Sequence, residues 1–455
     1  MQSPLETSRI VLQDACRRAD QYLDEIGMRR VAPSPESRSK LSAFDAPMPH
    51  EPGDPASTIA LLDEVGSPAT TATVGGRFFG LVVGGTLPAP LGARALASAW
   101  DQIVFNDVTS PVGTKLEKVA SKWVLDILGL PETSSVGFVT GATMANFTCL
   151  AAARNTLLER QGWDVGKMGL WGAPPVRIVA SRQVHVTVLK ALRLLGFGTD
   201  RIEWVDCDTQ GRLIAEQLPD CDDKTLILTQ AGNVNSGACD PVADIVAKAN
   251  GAWVHVDGAF GLWAAASPRL KSQLLGYEAA DSWTTDGHKW LNTPYDCGIA
   301  ICRHPTAIHN AMATQASYLE IGGDVAPKDM VPEFSRGARG VEVWAALHSL
   351  GKAGVADLID RSCALARRFA AGLQDCGFEI LNDVVLNQVV ATLPDAEELS
   401  TDIARLVQES GEAWFGPTTW NGREAIRISV ASWATVEADV DRTLRAIKKA
   451  VSDLN

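Results

Sequence analysis

A lysine between a histidine and a tryptophan stands in the run Ser282-Trp-Thr-Thr-Asp-Gly-His288-Lys289-Trp290, and upstream an aspartate closes the apolar run Val254-His255-Val256-Asp257, ahead of Gly258 and Ala259. A lysine amine condenses with an aldehyde only when part of its population is neutral, so its surroundings must bring it below the ordinary value of about 10.4. Trp283, Trp290 and Leu291 are apolar enough to do that. An aspartate ending a buried strand can keep a pyridinium nitrogen protonated. At about 3 Å and an effective dielectric of about 20 the attraction is roughly 5 kcal/mol before desolvation. An imine-forming amine and a carboxylate for a ring nitrogen are parts that hold pyridoxal 5′-phosphate and let it stabilise a carbanion. The plainer readings are a solvated lysine and an aspartate capping the turn before Gly258.

Such a cofactor also needs a cradle for its phosphate and a flat group against its ring. Thr140-Gly141-Ala142-Thr143 follows the apolar run Val136–Val139 and opens an apolar helical stretch from Met144 to Arg154. Small residues at a helix N-terminus let backbone N–H groups approach a dianion that the helix dipole favours, although the same residues also suit a simple turn and N-cap. His185, in Ser181-Arg-Gln-Val-His185, lies where a strand gives way to a helix, so its imidazole can stack on a ring and relay protons or be an ordinary structural histidine.

The elements that must position these residues read as an α/β protein. Apolar runs at Val136–Thr140, Val176–Ser181, Ile202–Val205, Leu226–Gln230, Trp253–Val256 and Gly298–Cys302 alternate with helical patterns. That predicts a mostly parallel sheet with helices on both faces and a ligand at the carboxyl ends of the strands. Helical spacing over residues 8–27 predicts an amphipathic helix, and six prolines between Pro33 and Pro55 predict an extended arm after it. Beyond Gly340 a long helix, Val341–Cys376, leads to strand-like Phe378–Asn382, Val389–Leu393 and Ala425–Val430 and to a terminal helix over Val436–Leu454. The expected organisation is an N-terminal helix and dimer-packing arm (1–72), a large cofactor-binding domain (73–340) and a small C-terminal α+β domain (341–455).

Composition narrows the function classes. The chain has 455 residues, 46% hydrophobic and 21% charged, and a formal net charge of -13, which disfavours nucleic acid and anionic membrane as partners. Nine cysteines without a C-x-x-C pair predict reduced thiols and a cytoplasmic protein. Charges scattered through Met1 to Gly27 predict no secretory leader, and Phe78–Ala93 is too short and too broken by glycine and proline to span a bilayer. Gly75-Gly76-Arg77-Phe78-Phe79-Gly80 has the wrong spacing for a dinucleotide fingerprint, and the sequence has no G-x-S-x-G, P-loop or H-E-x-x-H. His304 and His309 do not share a helix face, so no metal site is expected.

Taken in order, G-R-F-F from Gly76, S-P-V-G-T-K-L-E at 110–117, the Thr140–Asn146 turn, S-R-Q-V-H at 181–185, Q-A-G-N at 230–233, H-V-D-G-A-F at 255–260, D-G-H-K-W at 286–290 and I-R-I-S-V at 426–430 resemble the group II pyridoxal-phosphate decarboxylases, the family of aromatic amino acid, histidine and glutamate decarboxylases. The resemblance implies fold type I and a homodimer with active sites at its interface. It implies that Lys289 holds the cofactor as an imine, Asp257 pairs with the ring nitrogen, His185 stacks on the ring and Ala259 packs beneath it. Gly141, Ala142, Thr143, Asn233 and His288 complete the expected cofactor-binding set, and Arg427 is expected to meet the carboxylate of an amino acid substrate. Phe79, with Phe78 and the glycine-rich segment Gly80–Gly85, is expected to line the substrate pocket. Asp286 stands where some relatives have asparagine and is not assigned to the phosphate.

The resemblance makes an amino acid decarboxylase the expected activity. Family members of the aromatic and glutamate kind carry a tyrosine on a loop that helps protonate Cα. The corresponding stretch here, Glu320 to Arg336, has none, and Tyr318 lies just before it. Aldehyde-forming decarboxylation, retro-aldol cleavage and amino transfer by the same cofactor therefore stay open as alternatives.

Overall fold

Short apolar runs bounded by turn residues become strands buried along most of their length. In the computed structural model, which describes residues 3–314 and 325–454, these are β1 (Ser135–Val139), β2 (Arg177–Ser181), β3 (Ile202–Val205), β4 (Thr225–Gln230), β5 (Trp253–Asp257), β6 (Ser282–Asp286) and β7 (Gly298–Cys302). They form one sheet in the order β1-β7-β6-β5-β4-β2-β3. The run from β6 to β3 is parallel, and β7 alone is antiparallel to its neighbours. The expected mostly parallel sheet is present with one more strand than the hydrophobic runs predict. The extra strand is β6, whose Thr284, Thr285 and Asp286 look like a loop in sequence yet are all buried.

Alternation along these strands sorts side chains to the two faces of the sheet. Val254, Val256 and Trp283 join a core with Phe260, Trp263 and Trp290 on one face. Trp253 faces the other way, into a core with Ala145, Cys149, Leu150 and Ala153 of the helix Ala142–Glu159. By the same period His255 and Asp257 of β5, and Ser282, Thr284 and Asp286 of β6, lie under that helix.

The second sheet is antiparallel, in the order β10-β11-β9-β8, built from β8 (Glu379–Ile380), β9 (Gln388–Thr392), β10 (Gly416–Trp420) and β11 (Arg423–Ser429). β10 escapes a hydrophobicity reading because it is an edge strand containing Pro417, and an edge tolerates the missing N–H. Its hairpin to β11 turns on Asn421 and Gly422, both at positive φ (49° and 81°), as the two-residue turn of a twisted hairpin requires. The long helix spans Arg339–Asp375, but Gly351 at φ 61° interrupts it, so two helical segments share that stretch.

The N-terminal arm corrects the expectation of an extended chain. After the helix Pro4–Glu25, Pro35 and Pro55 open short helices, Pro35–Ser39 and Pro55–Leu61, capped by Ser34 and Asp54. Proline fits the first helical turn because its missing N–H has no partner there. Among the described residues no helix is long and apolar enough to cross a membrane.

Candidate active site

The parallel pairing brings the carboxyl ends of β4, β5 and β6 side by side, and the loops that leave them are stitched together. Ala231 N–H donates to Asp257 O, Gly258 N–H to Thr284 O, and Asp286 N–H to Ala259 O, each at 2.8–2.9 Å. Asp257 is buried, with Oδ1 accepting from Ala259 N (3.1 Å) and Oδ2 from Asn146 Nδ2 (3.2 Å). Each carboxylate oxygen keeps room for a further bond.

Lys289 follows β6 by three residues. Its Nζ lies 3.2 Å from Asp286 Oδ2, with the lysine side chain 20% exposed and the aspartate 2%. The chain around it is tightly packed: a Cβ on Gly84 would fall 1.8 Å from Lys289 O, so the glycine-rich segment is required by the lysine's backbone. His288 Nδ1 accepts from Cys297 N (3.0 Å), and its ring stacks on Tyr295 at 4.2 Å. Burial lowers its pKa, so the neutral ring carries its proton on Nε2, 3.7 Å from Asp286 Oδ2. Asp286 thus points toward Lys289 and His288, in keeping with its exclusion from the phosphate ligands.

The helix Ala142–Glu159 starts with Gly141 as N-cap and no capping side chain, and while Met144 N–H donates to Gly141 O at 2.9 Å, the N–H groups of Ala142 and Thr143 are left for another acceptor. A Cβ on Gly141 would sit 3.3 Å from His288 Cε1 and 3.8 Å from Asp286 Oδ1, so this turn faces the lysine loop directly. A Cβ on Gly298 would come within 2.4 Å of Gly141 itself, which explains a glycine at the start of β7.

His185 caps the helix Val186–Leu194, with Nδ1 facing Thr187 N (3.3 Å) and Thr187 Oγ1 (2.7 Å). Nδ1 is the acceptor, so the proton of the neutral ring is on Nε2. Burial lowers the pKa, and the charges acting on the ring are those of Asp257, Lys289, Arg427 and Asp286. Arg427, on β11 of the small sheet, is largely withdrawn from water, which lowers its pKa. It donates to Val234 O at 3.3 Å, and among the described residues no carboxylate is paired with it.

Two expected residues are used elsewhere. Phe79 is fully buried and meets Phe369 edge-on at 4.8 Å in the core of the small sheet, so it does not line an open pocket. Asn233 caps its own turn, Oδ1 accepting from Asn235 N and Ser236 N, while its Nδ2 packs toward Gly211. Tyr318 lies outside the described residues. Sequence reading overlooked Asn146, His255 and Ser282 as site-supporting residues. For His255 and Ser282 the signal was the period-two alternation that puts them on Asp257's face of the sheet; Asn146, on the helix Ala142–Glu159, gave none.

These donors fit pyridoxal 5′-phosphate. First-turn amides without a capping side chain suit a phosphate, a buried carboxylate with acceptor capacity left suits a ring nitrogen, and a partly exposed amine suits the aldehyde.

Comparison with known proteins points the same way. The family model described as the pyridoxal-dependent decarboxylase conserved domain matches residues 69–393. The chain is 28% identical over 428 residues to tryptophan decarboxylase 1 of Oryza sativa subsp. japonica, covering 85% of this chain and 82% of that protein. It is 26% identical over 437 residues to phenylacetaldehyde synthase of Arabidopsis thaliana (89% and 88% covered), and 26% identical over 387 residues to an aromatic-L-amino-acid decarboxylase of Bacillus atrophaeus (80% and 78%). Among solved structures, Oryza sativa TDC with PLP and tryptamine superposes with a TM-score of 0.91 at 24% identity, with both chains fully covered. Mouse CSAD superposes at 0.89 and 21%, with 99% of each chain covered.

Proposed function

Because the chain belongs to the pyridoxal-dependent decarboxylase family and is a lyase that removes carbon dioxide from an amino acid with pyridoxal 5′-phosphate, we propose a role for each residue of its site. Bound cofactor supplies the electron sink that accepts the pair left on Cα when carbon dioxide departs. Lys289 offers the amine that attaches it, and Asp257 holds the proton on its ring nitrogen. The first-turn amides of Ala142 and Thr143, with Gly141, receive the phosphate, and His288 closes that side with its Nε2 proton. His185 stacks on the ring and, bearing its proton on Nε2, is the donor that returns a proton to Cα. Arg427 is a half-buried cation that has no carboxylate partner among the described residues, which makes it the receiver of the substrate carboxylate, since a charge withdrawn from water is costly until paired. The observation that carries this reading is the buried Asp257 carboxylate, held at the end of β5 by Ala259 N and Asn146 Nδ2 with acceptor capacity left, on the strand beside the one whose loop carries Lys289.

We take the substrate to be an aromatic amino acid, in line with the tryptophan and aromatic-L-amino-acid decarboxylases among the relatives. Incubation with tryptophan, tyrosine, phenylalanine, glutamate and cysteine sulfinate, reading carbon dioxide and amine, is expected to favour the aromatic members. Release from the acidic ones alone would overturn that choice. Arg427→Ala should raise KM about tenfold or more while changing kcat less, the signature of lost ground-state binding.

A second reading is favoured by the absence of tyrosine between Glu320 and Arg336 and by the phenylacetaldehyde synthase among the relatives. In it the product is an aldehyde, with dioxygen and water consumed and carbon dioxide, ammonia and hydrogen peroxide released. The same incubations decide, because oxygen uptake with aldehyde in place of amine supports it.

The protein is further proposed to work as a cytoplasmic homodimer. All nine cysteines are unpaired and six are buried as free thiols, which suits a reducing compartment. The helix Pro4–Glu25 lines an apolar groove with Ile59, Leu62, Val74, Leu91 and Trp433, and Leu5, Met28 and Met48 stand more than four-fifths exposed on the same arm. Sedimentation equilibrium is expected to give twice the chain mass of 48.5 kDa, and removal of the arm a species of single-chain mass.

A further inference from the structure

From Asp257 a chain of hydrogen bonds runs through the interior of the protein. Trp253 Nε1 lies 2.9 Å from Ser282 Oγ, Ser282 Oγ 2.8 Å from His255 Nδ1, His255 Nε2 2.8 Å from Asn146 Oδ1, and Asn146 Nδ2 3.2 Å from Asp257 Oδ2. Trp253, Ser282, His255 and Asn146 are all completely buried. Strand alternation explains how they meet: Trp253, His255 and Asp257 are every second residue of β5, Ser282 starts the neighbouring β6, and Asn146 comes down from the helix that covers that face.

Every proton in this chain has one consistent direction. An indole N–H can only donate, so Ser282 Oγ accepts from Trp253 and its own hydroxyl proton goes to His255 Nδ1. A carboxylate can only accept, so the amide of Asn146 turns its NH2 to Asp257 and its oxygen to His255, whose proton must then be on Nε2. Burial holds the His255 pKa down at about 4, which keeps the ring neutral as this pattern demands. Reversing any member would set two donors or two acceptors against each other in a water-free interior, where an unmade bond is costly.

We propose that Asn146, His255 and Ser282 are positioning residues that fix the Asp257 carboxylate for the cofactor's ring nitrogen. The proposal rests on Asp257 pairing with that nitrogen. All its members are neutral, and that is the functional point. A lysine or arginine in the place of Asn146 would orient the carboxylate equally well but would compete with the pyridinium for its charge. A neutral amide donor holds one oxygen, the Ala259 N–H holds the other, and the full negative charge is left for the ring nitrogen.

The test compares affinities of apoprotein, prepared from the holoenzyme, for pyridoxal 5′-phosphate and for its 1-deaza analogue, which has carbon in place of the ring nitrogen. Wild type is expected to prefer the natural cofactor. Ser282→Ala, and the neutral, similarly sized Asn146→Leu should Ser282→Ala not fold, are expected to shrink that preference about tenfold or more while affinity for the 1-deaza analogue stays nearly constant. Equal weakening toward both compounds means a merely structural role and overturns the proposal. A wild type without preference overturns the Asp257 pairing, and the proposal falls with it. In 15N-histidine NMR of the apoprotein, His255 is expected as the neutral Nε2–H tautomer, changed in Ser282→Ala, and an Nδ1–H tautomer or an imidazolium in wild type would contradict the relay.

Discussion

Lys289→Ala is expected to be a colourless protein after dialysis and to release carbon dioxide at least about 10³-fold more slowly than wild type, a loss of roughly 4 kcal/mol of transition-state stabilisation. The size of the effect follows from what the amine does. It attaches the cofactor and sets the geometry from which an incoming amino acid replaces it, and proximity of that kind accounts for several kcal/mol. Lys289 is suited to the task because its side chain stays partly exposed while its backbone is clamped by Gly84 and its Nζ is steadied 3.2 Å from Asp286 Oδ2. In wild type, borohydride should fix the cofactor on one peptide, and mass spectrometry should place it at Lys289. A label on another lysine, or a Lys289→Ala protein that keeps its colour, would falsify the assignment.

The second large effect is expected for Asp257→Asn. The substitution keeps shape and burial but removes the charge that would hold the ring nitrogen protonated, an attraction of roughly 5 kcal/mol before desolvation. We expect kcat to fall about 10² to 10⁴-fold, with the cofactor still attached and the visible absorbance band shifted. The pattern differs from that of Lys289→Ala, where attachment itself is lost. An Asp257→Asn enzyme within about threefold of wild-type kcat, with unchanged circular dichroism, would sink the pairing, because a threefold change is only about 0.7 kcal/mol.

The site was legible in sequence where local chemistry forces a residue type. Lysine beside histidine, aspartate ending an apolar run, small residues between a strand and a helix, and arginine in a strand-like run each announced a demand of the cofactor, and in the structure Asp257 ends β5, Lys289 follows the neighbouring β6 and His185 caps the helix Val186–Leu194. It was illegible where a residue's job depends on distant packing. Phe79, aromatic and next to a glycine-rich segment, looked like a pocket wall, yet it fills the core of the small sheet against Phe369, some 290 residues away in the chain. Asn233, expected as a cofactor ligand, also caps its own turn through Oδ1, and its buried Nδ2 has no hydrogen-bond partner among the described residues. β6 was hidden because hydrophobic pattern cannot identify a central strand whose threonines are buried on both faces.

By itself, then, the sequence determined the cofactor and the α/β architecture, because both are written in residue types and short-range periodicity. Only the tertiary structure decided how Asp257 is held. Asn146, His255 and Ser282 are up to 136 residues apart in the chain, and they meet because parallel pairing sets β5 beside β6 and a helix crosses the face their alternation selects. Hydrogen bonds are short-ranged and directional, so which donor finds which acceptor is fixed by that packing and by nothing local.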